Sequence, residues 1–82
     1  QVLRLGNLIV WQAHDEAQNQ YVALFNVTDW QDDFAVDFAA LELEGTYKLR
    51  NLWENKDLGE VSDKFVVSIK SHDAKLYKLT KA

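Results

Sequence analysis

At 82 residues the chain has room for one hydrophobic core and no second one. Hydrophobic residues make up 48% and charged ones 27%, a globular balance that excludes disorder through low hydrophobicity. Cysteine is absent, which excludes disulfides, zinc–cysteine clusters and thiol catalysis, and 13 acidic against 9 basic side chains leave a net charge of −4 with no basic stripe to attract nucleic acid.

Alternation runs through the chain from Leu8 onward. Leu8, Val10 and Gln12 alternate with Ile9, Trp11 and Ala13, and the polar run from His14 to Gln20 closes this first predicted strand with a loop. Tyr21, Ala23, Phe25 and Val27 alternate with Val22, Leu24 and Asn26, and an Asp-rich hairpin tip follows over residues 28–33. Phe34, Val36 and Phe38 are interleaved with Asp33, Ala35 and Asp37. The stretch from Phe38 to Glu44 suits one helical turn, stopped by Gly45 in the left-handed conformation. Tyr47 and Leu49 share a predicted strand face with Trp53, with Lys48 and Arg50 opposite. Asn55–Asp57 turns the chain into a short segment over Leu58–Val61, and Ser62-Asp63 turns it again. Phe65, Val67 and Ile69 then alternate with Lys64, Val66, Ser68 and Lys70, and Leu76, Tyr77 and Leu79 carry the last strand. With no proline to guard edges, Lys75, Lys78 and Lys81 suit that task in a terminal edge strand.

These elements predict a single all-β domain over residues 1–82, an antiparallel two-sheet β-sandwich, Greek-key-like, of about six to eight short strands. Trp11 and Trp53 are expected in its core. No apolar run approaches the ~18 residues of a membrane span, and no signal-peptide pattern opens the chain. Methionine is absent and the chain begins at Gln1, so the sequence reads as a processed product or a piece of a longer chain.

Catalysis has no visible apparatus. The local carboxylate pairs Asp15/Glu16, Asp32/Asp33 and Glu42/Glu44 fall in predicted turns or at a helix end, where solvation keeps a carboxylate ordinary, and a general acid needs a pocket that raises its pKa. His14 and His72 lack metal-ligand spacing, and His72 is expected to bond backbone at a strand corner. No nucleotide or nucleophile motif occurs, so no catalytic, cofactor or metal residue is assigned. Asn26-Val27-Thr28 matches the N-glycosylation acceptor pattern, a pattern of low specificity, and Asn26 at a strand end is rather expected to bond backbone at the hairpin. Trp30 stands apart, because its neighbours Thr28, Asp29, Gln31 and Asp32 are all polar. An exposed ring there offers a platform for a sugar, with Asp29 or Tyr21 beside it, or a plug against a neighbouring domain.

Four stretches together resemble a known family. Val10-Trp11-Gln12-Ala13, Val22-Ala23-Leu24-Phe25-Asn26, the run from Gly45 to Trp53 followed by Lys56-Asp57-Leu58-Gly59, and Phe65–Ile69 with His72 and Leu76–Leu79 resemble, in that order, the C-terminal β-sandwich of α-galactosidase (melibiase)-type glycoside hydrolases. Asn51 stands where the family usually has Asp before Leu-Trp. The resemblance implies a non-catalytic accessory domain that packs on and stabilises a preceding catalytic barrel. That barrel would carry both catalytic aspartates, and the protein would be extracytoplasmic. Two other readings stay open: a carbohydrate-binding module built on Trp30, and an immunoglobulin-like interaction domain suggested by sandwich topology alone.

Overall fold

The computed structural model of the protein describes residues 2–17 and 19–82; Gln1, the first residue of the expected domain, and Gln18, inside the expected His14–Gln20 loop, lie outside the described residues. Eight strands appear among the described residues: β1 (Val2–Leu5), β2 (Leu8–His14), β3 (Gln20–Asn26), β4 (Asp32–Asp37), β5 (Thr46–Asn51), β6 (Lys56–Ser62), β7 (Lys64–Ile69) and β8 (Ala74–Lys81). All pairings are antiparallel. Six strands form one sheet in the order β1-β2-β3-β8-β5-β6, and β4 and β7 form the other.

Side-chain parity decides what lies between the sheets. Leu8 and Val10 of β2, Val22 and Leu24 of β3, Tyr47 and Leu49 of β5, and Tyr77 and Leu79 of β8 are buried from the large sheet. Val36, Phe65, Val67 and Ile69 meet them from the small one. The rings of Phe38 and Tyr47 meet edge-to-face at 5.6 Å, and those of Phe65 and Tyr77 at 5.8 Å, the offset geometry that the ring quadrupole favours. The buried polar groups, Asn26, Thr28 and Asn51, are all hydrogen-bonded.

Several expectations need correction. The terminal strand is no edge: β8 lies between β3 and β5, so its lysines do not guard an open ladder. Lys78 and Lys81 instead reach over the rings of Tyr21 and Tyr47, at 5.9 and 5.8 Å. The true edges of the large sheet are β1, which the sequence pattern does not reveal, and the charged, Gly59-containing β6.

Trp11 lies on the outer side of the large sheet, 44% exposed, because Val10 takes the inward position. Alternation could not choose between them, since both faces of β2 are apolar. Trp53 lies past the end of β5 in a turn and is 61% exposed; Asn51 accepts the Glu54 amide at 3.0 Å and bends the chain before Trp53 can continue the inward face.

The expected helical turn forms, but Glu42 rather than Gly45 closes it. The Leu43 amide bonds the Phe38 carbonyl at 2.9 Å and the Glu42 amide bonds that of Ala39 at 3.2 Å, with Glu42 left-handed at φ 58°. This is the Schellman arrangement, and Leu43 and Phe38 supply its apolar contact by entering the core together.

Candidate functional site

Asn26 terminates β3 and organises the loop that carries Trp30. Its side-chain NH2 donates to the carbonyls of Trp30 (3.0 Å) and Ile69 (2.8 Å), while its oxygen accepts the Thr28 amide (2.9 Å) and hydroxyl (2.6 Å). The Thr28 hydroxyl also lies 2.8 Å from the Trp30 carbonyl, and Ser71 donates to the Thr28 carbonyl at 2.9 Å. Every Asn26 polar atom is therefore committed inside the fold. Asn26 is 2% exposed, and in this fold the side chain of the acceptor pattern holds the loop.

The loop frame leaves the Trp30 ring outside, 59% exposed, as its polar neighbours predict. Asp29 next to it faces His72 across the β3–β4 and β7–β8 loops, Nε2 to Oδ1 at 2.8 Å. The His72 ring thus bonds a side chain rather than the expected backbone, and its own backbone is left-handed at φ 54°. Tyr21 does not join Trp30. Its hydroxyl donates to Asp15 at 3.0 Å at the opposite end of β3.

The carboxylate pairs are dispersed. Asp15 accepts the Asn19 side chain and backbone amides at 3.0 Å each, and the Asn19 side chain, with Tyr21 assisting, holds its carboxyl below the ordinary value. The reciprocal bond from Asp15 pushes the Tyr21 phenol up, and burial does the same to Tyr77. Glu42 and Glu44 line an open groove of about 870 Å3 with Asp37, Asp63 and Lys81. All four carboxylates are solvent-exposed, and no group of three or more metal-ligating side chains is placed to hold an ion among the described residues.

Among the described residues seven large apolar side chains are exposed: Val2, Trp11, Phe25, Trp30, Trp53, Leu58 and Val66. Two antiparallel sheets closed over one core, with every buried side-chain polar group paired, define the class of small β-sandwich domains. The chain belongs to the alpha galactosidase C-terminal beta sandwich domain family, whose model matches residues 5–79.

The chain is similar to part of a GH27 β-L-arabinopyranosidase from Geobacillus stearothermophilus, at 31% identity and TM-score 0.91, over 98% of this chain and 19% of that one. It shares its fold with part of alpha-galactosidase I from Mortierella vinacea, at 19% identity and TM-score 0.86, over 98% of this chain and 22% of that one. It therefore spans about a fifth of the length of these proteins. No curated relative matches it.

Proposed function

We propose that the chain is the non-catalytic C-terminal domain of an α-galactosidase-like glycoside hydrolase, where it packs on and stabilises a catalytic barrel. The observation that carries this is apolar surface left outside a core that is already complete: Trp11, Phe25, Trp53 and Val2 are each at least 40% exposed. A domain of this size buries a modest fraction of its surface alone, and covering such side chains against a neighbour recovers free energy at about 25 cal/mol per Å2. Among the described residues the carboxylates that come together, Asp37, Glu42, Glu44 and Asp63, line an open groove rather than an enclosed pocket, which supports assigning acid–base cleavage of a glycosidic bond to the neighbour.

The test compares the 82-residue domain, the full-length parent and the parent lacking this domain, using p-nitrophenyl α-galactoside. The expected result is turnover by the parent, none by the isolated domain, and faster thermal inactivation of the truncated enzyme. Stoichiometric turnover by the pure domain, or an unchanged inactivation rate after its deletion, rejects the proposal.

A second reading rests on Trp30 alone, because its ring is exposed on a loop fixed by the Asn26–Thr28 network. A sugar stacked there gives a saturable tryptophan-fluorescence response to galactosides that Trp30→Ala removes. A flat titration disposes of this reading.

A further inference from the structure

The two outer faces of the sandwich differ in chemistry. On the small sheet the outward pairs are Asp33 with Ser68, Ala35 with Val66, and Asp37 with Lys64, a polar surface with one apolar step. On the large sheet the register aligns two apolar rows. Val2, Trp11, Ala23 and Leu76 are successive partners across β1, β2, β3 and β8, and the Leu52 amide bonds the Leu76 carbonyl to extend that row. The adjacent row is Arg4, Ile9, Phe25 and Ala74. Arg4 at the margin is the only charge in either row. With strands spaced about 4.8 Å apart, five positions span roughly 20 Å, a breadth unusual for apolar surface left in water.

We infer that this outer face of the six-stranded sheet is the surface on which the preceding catalytic domain of the same chain docks, with Trp11 and Phe25 as its anchors. The inference rests on the accessory-domain reading and adds the location. Three observations select that occupant. The family is described as a C-terminal domain, and the similar arabinopyranosidase is about five times as long as the matched part, so the partner we infer is the larger, preceding part of the same chain. Strand β1 is an edge of this same sheet, and Val2 stands in the Trp11 row, so the N-terminal end of β1 lies at the rim of the patch. The net charge of −4 is carried elsewhere: no carboxylate interrupts the two rows, so an apolar partner surface meets no acid to desolvate.

Hydroxyl-radical footprinting of the full-length parent and of the 82-residue domain, each at two protein concentrations, tests the location without a mutation. The expected result is that Trp11 and Phe25 label readily in the isolated domain and fall to the level of core residues in the parent, while Val66 labels equally in both. A matching pair of variants in the parent, Trp11→Asp and the control Val66→Asp, is expected to split a single thermal transition into two only for the first. Equal labelling of Trp11 in both proteins overturns the inference. If the parent still loses thermal stability on deletion of the domain, the accessory reading survives that result. Protection of Trp11 that grows with the concentration of the isolated domain assigns the face to a second copy and overturns the inference equally.

Discussion

Single side chains do most of the local organising in this domain through hydrogen bonds that link loops rather than strands. Asn26 is the strongest case. Its truncation to alanine strips two carbonyls and two donors of their buried partner, at roughly 2–4 kcal/mol on the cost of unpaired buried groups. Set against a total of about 4–12 kcal/mol expected for 82 residues, that loss is large. Urea unfolding of Asn26→Ala is expected to show a much lower midpoint with an unchanged slope. Asp15 makes a pH-dependent contribution. Its folded pKa lies below the ordinary 3.8, with the Asn19 side chain as the main cause, so its stabilisation is complete above 3.8 and is lost as pH falls through the folded value. Asp15→Asn is expected to flatten that acid limb in urea midpoints measured across the range. Tyr21 carries the reciprocal sign. Its pKa is raised above 10.0 chiefly by the bond to Asp15, so that stabilisation is present below 10.0 and lost as pH rises through the folded value. In Asp15→Asn the Tyr21 phenol is expected to titrate closer to 10.0 by ultraviolet difference absorption.

Elements are where the sequence is most legible and also where it misleads. The turn between β4 and β5 closes on Glu42 at φ 58°, a conformation in which a Cβ costs about 1 kcal/mol that glycine avoids. Glu42→Gly is expected to raise stability by about 0.5–1 kcal/mol, read as a higher thermal midpoint, because Glu42 is exposed and its amide bond to Ala39 is unaffected. The pattern of β2, β3, β4, β5 and β7 is readable because β-branched and aromatic residues alternate there, as Phe65, Val67 and Ile69 do against Lys64 and Ser68. Strand β1 is not readable: four residues, Val-Leu-Arg-Leu, are too few to establish a period. Facing is ambiguous wherever both parities are apolar, so Trp11 and Phe25 look like core residues although they lie outside. Trp30 is legible as an exposed ring because its neighbours Thr28, Asp29, Gln31 and Asp32 are polar, whereas the apolar rows of the outer face are invisible until register brings four separate strands together.

At the scale of the whole molecule, connectivity matters more than any one contact. The last strand in sequence, β8, is central in space, bonded to β3 on one side and β5 on the other. It also supplies Tyr77 and Leu79 to the core and seats the Leu52 amide through the Leu76 carbonyl. Without it the β1–β2–β3 meander and the β5–β6 hairpin share no hydrogen-bonded neighbour, and each exposes a row of unpaired backbone groups and an uncovered apolar face. The sheet therefore cannot close until the C-terminal residues have joined it, and long-range pairings of this kind fold on a slow scale, about milliseconds to seconds. Deleting residues 74–82 is expected to abolish cooperative unfolding altogether rather than lower its midpoint, and circular dichroism with a thermal scan checks it. A truncated chain that keeps a sharp transition and its near-ultraviolet tyrosine and tryptophan signal refutes the claim that β8 joins the two halves. Supplying residues 74–82 as a separate peptide makes the same point from the other side: the strand has two open edges to pair with, so the peptide is expected to restore the transition in proportion to its concentration.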